Sequence, residues 1–347
     1  MRVAVVGATG AVGTIMRDLL IKRGFAADAI VPFASERSRG RELPGATEPC
    51  RVLADDSIQG FDLALFSAGG ATSKAWAPKF AAAGAVVVDN SSAWRMNDDV
   101  PLVVTEVNAD ALAAHNGIVA NPNCTTMVAM LPLKALHDAF GLSAMVATSY
   151  QAAGGAGQKG IDELAEQIPV VGADIDLLVN DGAAARAKVE HKVHADTLAF
   201  NVVPSLGKVV EDGYTDEEIK LRNESRKILD IPGLQVSPTC VRVPVMVGHA
   251  VAVRAIFERE PDLAAANAAL EAFPNLVVQD VPTPLEWAGR DEVAVGRIRP
   301  DLGVPTGLNL FVVGDNLLKG AALNTVQIAE ELVARDLVRP ASTAVAS

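Results

Sequence analysis

The chain has 347 residues, half of them hydrophobic, with 30 basic against 42 acidic side chains and a formal net charge of −12. An acidic chain without a basic stripe excludes nucleic acid and an anionic membrane surface as expected partners, and no apolar run reaches bilayer length. Cys50, Cys124 and Cys240 lie far apart with no CxxC or Cys/His ligand spacing, so no metal site is expected. Length and composition fit a two-domain α/β protein with a core in each domain. Met1 runs straight into a strand with no signal-peptide pattern, so the cytoplasm is the expected compartment.

Arg2 to Val6 reads as a short strand. Gly7-Ala8-Thr9-Gly10-Ala11-Val12-Gly13 follows, then an amphipathic helix to about Arg23. Glycines at a strand–helix turn let the backbone approach a pyrophosphate, which rests on the helix N-terminus. The spacing is GxxGxxG rather than the commoner GxGxxG; the plain alternative is a tight turn with no ligand. A second strand, Ala29 to Ala34, ends in Ser35-Glu36-Arg37-Ser38-Arg39-Gly40. An NAD-preferring fold puts an acid near this strand end for the ribose 2′-hydroxyl. Here one acid sits among two arginines and two serines, and Arg37 with Ser38 suits a 2′-phosphate, which favours NADP.

Phe61 to Phe66 and Ala85 to Val88 read as further strands around a helix over 71–83. The first ends in Ser67-Ala68-Gly69-Gly70, small residues that leave room for a cofactor; the second ends in Asp89-Asn90-Ser91-Ser92-Ala93-Trp94-Arg95. Strand–helix alternation with polar strand ends is the doubly wound pattern, and Arg95 lies on the edge where ligands gather. Ile118-Val119-Ala120, then Asn121-Pro122-Asn123-Cys124-Thr125-Thr126, then the apolar stretch from Met127 to Phe140 read as strand, turn and helix. A thiol at a helix start favours its thiolate, the nucleophilic form; lowering its pKa to about 7 would make roughly half of it reactive at neutral pH. The alternative is a cysteine acting as a small buried hydrophobe.

The pattern then changes. Ala144 to Ser149 is a predicted strand leading to Gln151 and the turn Gly154-Gly155, which opens a helix over about 158–168. Residues 169–198 read as loops with short pieces of structure, and Phe200 to Pro204 as a short strand. Thr215 caps a predicted helix over Asp216–Leu229 with an acidic first turn. Glu217 and Lys220, three apart on one face of it, read alone as a surface ion pair. Thr239 to Phe257 reads as extended, with Arg242 alone among apolar neighbours and a break at Gly248-His249. His249 is the one histidine of five placed at such a break; His137 reads as facing out of its helix, and His191 and His194 as lying in a charged loop. A strand over 308–313, Gly314-Asp315-Asn316 and a helix over about 318–334 close the fold, with a tail beyond Asp336 expected to fray.

Gly-Ala-Thr-Gly-Ala-Val-Gly at 7–13, Asn-Ser-Ser-Ala-Trp-Arg at 90–95, Asn-Pro-Asn-Cys-Thr-Thr at 121–126, Ser-Tyr-Gln at 149–151, Cys-Val-Arg-Val-Pro-Val at 240–245, Gly-His at 248–249 and Gly-Asp-Asn at 314–316 together resemble the aspartate-β-semialdehyde dehydrogenase family, most of all its shorter bacterial form. The resemblance implies a Rossmann-type doubly wound domain over 1–124, completed by 317–347, and an α+β catalytic and dimerisation domain over 125–316. It implies NADPH-dependent reduction of L-4-aspartyl phosphate to L-aspartate 4-semialdehyde, on the way to lysine, threonine, methionine and diaminopimelate. By that likeness Cys124 is the nucleophile, His249 the general acid/base, and Gln151 orients the thioester. Arg242 would grip the α-carboxylate and Glu217 the α-amino group, Arg95 and Lys220 the phosphate, with Asn123 in the substrate site. Gly7, Thr9, Gly10, Ala11, Val12, Arg37, Ser38, Gly154, Gly155 and Asn316 would hold NADP. Relatives usually carry Ser or a similar residue where this chain has Gly154, which leaves only backbone contacts there. The assembly implied is a homodimer, or a tetramer. The nearest rival is an N-acetyl-γ-glutamyl-phosphate reductase; from another class, a non-catalytic NADP-binding protein would be expected to lack the nucleophile.

Overall fold

A computed structural model describes residues 1–338. The frayed tail expected beyond Asp336, and the end of the 317–347 segment, fall from residue 339 onward outside the described residues. The chain separates into two compact units.

The first unit comprises residues 1–123 and 227–229 and the segment from residue 320 onward. Its strands are β1 (Arg2–Val6), β2 (Ala29–Phe33), β3 (Leu63–Phe66), β4 (Val86–Asp89) and β5 (Ile118–Ala120), interleaved with α1 (Ala11–Lys22), α2 (Gly70–Ala82) and the short α3 (Thr105–Asn108). All pairings are parallel, in the order β2-β1-β3-β4-β5. The four residues of β3, of β4 and the last four of β1 are buried throughout, the reason these strands read as unbroken apolar runs rather than alternating ones. Phe33, Phe61, Phe66 and Phe80 meet edge-on or tilted at centroid distances of 5.4–6.0 Å in its core. The chain order reverses at β1, so the crevice between β1 and β3 is the switch point where such sheets bind ligands.

The second unit holds residues 124–226 and 230–319. It contains α4 (Cys124–Phe140), β6 (Leu142–Gln151), α5 (Gln158–Val171), α6 (Ile175–Asn180), α7 (Gly182–Arg186), β7 (Val209–Glu211), β8 (Tyr214–Thr215), α8 (Asp216–Leu229), β9 (Gln235–Arg242), β10 (His249–Phe257), α9 (Leu263–Glu271), β11 (Leu276–Val278), α10 (Pro284–Trp287), β12 (Val293–Pro300) and β13 (Gly307–Gly314). The last three residues of α8 cluster with the first unit. A π-helical turn, Leu318–Ala322, then leads into α11 (Leu323–Ala334), which packs on α1, β3 and β4 of the first unit. Six strands form a mixed sheet, β11-β12-β13-β10-β6-β9, with α4 lying along it. Along β6, Met145, Ala147, Ser149 and Gln151 are buried while Val146 and Tyr150 are exposed, the alternation of a sheet packed on one face.

Two elements differ from expectation. Phe200–Pro204 is not a strand: Phe200 has φ of +58°, which extended backbone does not tolerate, and only Val203 bridges to Arg242. The stretch from Thr239 to Phe257 is not one extended run. It breaks over residues 243–248, and β6 lies between β9 and β10 in the sheet. Pro244 gives no ladder donor, and Gly248 has φ of +99° with no room for a Cβ beside Pro284, so the chain leaves the sheet there.

Candidate active site

The first unit carries the glycine turn at the end of β1. Gly7 has φ of +86°, and a Cβ on it would lie 2.2 Å from the Ser67 carbonyl oxygen, just beyond β3. Glycine is required there because β1 and β3 converge at the switch point. Gly7 and Ala8 N–H both donate to the Phe33 carbonyl, at 2.9 and 3.1 Å, tying the turn to the end of β2. Thr9 and Gly10 are exposed and Ala11 and Val12 partly so, at the N-terminus of α1, where an anion is favoured. A Cβ on Gly69 or Gly70 would meet nothing within 4 Å, so the neighbouring loop leaves open space.

Beyond β2, Glu36–Ser38 forms a 3-10 turn in which Ser38 is buried and Arg37 exposed. Beyond β4, Arg95 is buried and spends two donors on the backbone: Nε to Asn121 O at 2.9 Å and Nη2 to Asn90 O at 3.1 Å. Asn121 in turn donates to Asn90 Oδ1 at 2.6 Å and accepts from Asn324 Nδ2 at 2.7 Å. Sequence reasoning did not single out Asn121 or Asn324; amides in turns and helices carry no periodic signal. Asn123 is buried immediately before Cys124.

In the second unit, topology gathers the remaining residues at one sheet edge. Gln151 ends β6 and Arg242 ends β9, and the two face each other in parallel register. His249 begins β10, which runs antiparallel to β6, and it pairs with Gly314 at the end of β13. Cys124 begins α4, at the N-terminal end of its dipole. Cys124 Sγ lies 3.3 Å from His249 Nε2. His249 is fully buried, and its Nδ1 accepts from the Ala152 N–H at 3.0 Å, so the neutral ring carries its proton on Nε2, toward the sulfur. Burial, and then the Arg242 charge, hold His249 well below the ordinary imidazole range. Burial also lowers the Arg242 guanidinium, which Cys124 and Glu217 pull back up. Arg242 Nη1 donates to the Ala152 carbonyl at 2.7 Å. Ala152 thus orients both side chains through its backbone, a role no side-chain pattern could reveal.

Gln151 is 1 % exposed; its Oε1 accepts from Ser149 Oγ at 2.9 Å and its Nε2 donates to Glu217 Oε1 at 3.1 Å. Lys220 Nζ reaches Glu217 Oε2 at 3.3 Å and Asp216 Oδ2 at 2.7 Å. Burial alone would lower the Lys220 ammonium, but Glu217 and Asp216 outweigh it and the net direction is up. This pair is therefore no isolated surface bridge; it is half-buried and joined to Gln151. Gly154 N–H donates to Met246 O at 2.9 Å, and a Cβ there would sit 2.9 Å from that oxygen. A Cβ on Gly155 would lie 2.7 Å from Arg242 Nη1 and 3.2 Å from the His249 ring. Asn316 is buried; its Oδ1 accepts from Gly248 N–H at 2.8 Å, and its Nδ2 has no hydrogen-bond partner. A buried unpaired donor costs about 1–3 kcal/mol, so Nδ2 is suited to an incoming carbonyl such as a nicotinamide carboxamide. His194, expected in a charged loop, is instead buried with Nε2 3.1 Å from Gly160 O. His137 is not simply outward-facing: its Nδ1 accepts from Leu142 N–H at 2.9 Å, joining α4 to β6.

Among the described residues no helix is long and apolar enough to cross a membrane, and no group of three or more His, Cys, Asp or Glu is placed to hold a metal ion.

Fold and site define a dehydrogenase with a nucleotide domain and a separate domain built around a cysteine and a histidine. Two family models match: the semialdehyde dehydrogenase NAD binding domain over residues 2–115 and the semialdehyde dehydrogenase dimerisation domain over 133–319. The aspartate-semialdehyde dehydrogenase of Streptomyces akiyoshiensis is 54% identical over 97% of this chain and 99% of its own, and that of Corynebacterium melassecola 53% over 95% and 99%. A crystal structure of aspartate semialdehyde dehydrogenase II complexed with ASA, from Vibrio cholerae, is 42% identical, covers 96% of this chain and 98% of that one, and superposes with a TM-score of 0.88. The chain belongs to the aspartate-semialdehyde dehydrogenase family.

Proposed function

We propose that the enzyme reduces L-4-aspartyl phosphate to L-aspartate 4-semialdehyde and phosphate with NADPH, reversibly, through a thioester on Cys124. The observation that carries this reading is the grouping of Cys124, His249, Gln151 and Arg242 at one sheet edge. Sγ attacks the acyl carbonyl, the C–O bond to phosphate breaks, and phosphate leaves with the electron pair. Arg95 and Lys220 hold the dianionic leaving group. Bound NADPH supplies hydride to the thioester carbonyl. The resulting thiohemiacetal expels the Cys124 thiolate and releases the aldehyde. His249 acts as general acid and base through Nε2, the nitrogen facing the sulfur, in ring states that carry a proton on Nδ1, so the Ala152 N–H gives up its bond to Nδ1 as the proton moves. Backbone N–H groups at the start of α4 stabilise the oxyanion of each tetrahedral intermediate. Gln151 orients the acyl group, Arg242 pairs with the α-carboxylate and Glu217 with the α-ammonium, with Asn123 beside them.

The cofactor fits the turn Gly7–Val12, with Arg37 and Ser38 for a 2′-phosphate, the Gly154–Gly155 backbone, and the unpaired Asn316 Nδ2 for the carboxamide. We place the reaction in lysine, threonine, methionine and diaminopimelate biosynthesis, in the cytoplasm. The match to a dimerisation domain, and the open sheet face bearing Val146 (45 % exposed) and Tyr150 (38 %), support a homodimer, or a tetramer built from it.

The test is NADP⁺ reduction with aspartate semialdehyde, which must require phosphate or arsenate. Activity without either anion would overturn the acyl-phosphate reading. Preference for N-acetyl-γ-glutamyl phosphate over aspartyl phosphate in the reductive direction would hand the assignment to that rival, whose substrate has no ammonium for Glu217.

A further inference from the structure

The loop after β2 contains a feature that the glycine turn and Arg37 do not explain. Glu36 lies 23 residues beyond Gly13 and three beyond the end of β2, the position where a nucleotide fold places a carboxylate to accept the ribose 2′-hydroxyl of NAD. A carboxylate there also repels a 2′-phosphate. In this protein the Glu36 carboxylate is taken up on both oxygens: Arg39 Nε donates to Oε2 at 2.7 Å and Nη2 to Oε1 at 2.5 Å. The fork occupies one acceptor site on each oxygen, leaving fewer for a ribose hydroxyl, and offsets the negative charge. The loop holds the two residues in register. Ser38 N–H donates to Ser35 O at 2.8 Å, Arg39 N–H to Glu36 O at 3.1 Å, and Gly40 N–H to Cys50 O at 2.8 Å. The glycine turn is bonded to the Phe33 carbonyl, so the carboxylate and the turn are fixed to the same strand end. Glu36, Arg37 and Arg39 are all exposed, as a ligand-facing loop requires.

We infer that Arg39 is a specificity-determining residue: by neutralising Glu36 it converts an NAD-type strand end into one that accepts the 2′-phosphate, leaving the Arg37 charge unopposed. As a stabilising contact this exposed pair is worth little. Its effect is on which cofactor the loop admits. The inference deepens the NADP reading above and rests on it.

The experiment measures kcat/KM with NADPH and with NADH for the wild type, Arg39→Ala, Glu36→Ala and the double variant, at fixed ionic strength. Arg39→Ala is expected to lower the NADPH-to-NADH ratio roughly tenfold, through KM for NADPH, with KM for the acyl substrate unchanged. Glu36→Ala alone should hold or raise the ratio, and the double variant should recover most of the wild-type preference. The loss in Arg39→Ala should shrink as salt is raised, because exposed charges are screened. A ratio unchanged by Arg39→Ala would overturn the inference. So would a double variant as impaired as Arg39→Ala, because Arg39 would then bind the phosphate itself. A wild type with no preference for NADPH would instead remove the NADP reading, and this inference with it.

Discussion

Three thiols of one chemical type differ here by surroundings alone. Burial pushes the Cys240 thiol up to about 12 and also raises Cys50, so neither forms thiolate at neutral pH. Cys124 sits at a helix start, within 3.3 Å of an imidazole nitrogen and near a guanidinium. Iodoacetamide at pH 7 should therefore modify one thiol per chain, at Cys124, in step with loss of activity. Cys124→Ala should be neither labelled nor active while still binding NADPH. Peptide mapping that finds Cys50 or Cys240 labelled first would contradict this. Gly155 makes the same point from the opposite side. Its missing Cβ is the space that Arg242 and His249 occupy, so Gly155→Ala must push one of them aside. A displacement near 1 Å at reacting groups can cost ~10²-fold, and kcat should fall by about that factor with little change in melting temperature. Wild-type kcat in Gly155→Ala would show that the two side chains are not held where the mechanism needs them.

At the scale of elements, α8 links stability to the side chains proposed to meet the substrate. Thr215 and Glu218 form a complete capping box, with Glu218 N–H donating to Thr215 Oγ1 at 3.4 Å and Thr215 N–H to Glu218 Oε2 at 2.7 Å. The other Glu218 oxygen accepts the Cys240 N–H at 3.0 Å, which fixes the first turn of α8 against β9. That turn carries Glu217 and leads to Lys220. Thr215→Ala should cost ~1 kcal/mol in urea unfolding and also raise KM for aspartate semialdehyde. A lower urea midpoint with unchanged KM would mean that the cap supports the helix without positioning Glu217. The cap, the helix and its acidic start were legible in the sequence, because capping is a local interaction between residues three apart. The second tie, from Glu218 to a strand 22 residues away, was not.

For the molecule as a whole, two buried histidines set the response to acid. Burial lowers both His194 and His249 from the ordinary value, with Arg242 adding to the effect at each, and His249 is the more strongly shifted. The unfolded chain therefore takes up protons near pH 6.5 that the folded chain refuses. Stability is complete above that pH and is lost as pH falls from about 6.5 toward the lower folded values. Asp89 acts in the opposite direction, since burial raises its carboxyl. The urea midpoint should fall between pH 7 and pH 5.5 at fixed protein concentration, and His194→Gln should remove part of that fall while keeping a donor toward Gly160. The same acid sensitivity in both proteins would discount His194 as a source.

The sequence by itself determined the strands, the glycine turn, the helix that begins at Cys124, and the order of motifs that marks the family. Each depends on neighbours a few residues apart: apolar periodicity, turn chemistry, a cap. Tertiary structure decided what those motifs do to one another. Gln151 meets Arg242 only because β6 and β9 lie side by side in register, and His249 joins them only because β10 runs back between β6 and β13. Strand order is set by packing over long separations, which is also why the break at Gly248-His249 within Thr239 to Phe257 was legible and the strand that lies between its two halves was not. The neutral His249, the shared Ala152 backbone and the unpaired Asn316 amide follow from burial, and burial belongs to the folded chain rather than to any single stretch of it.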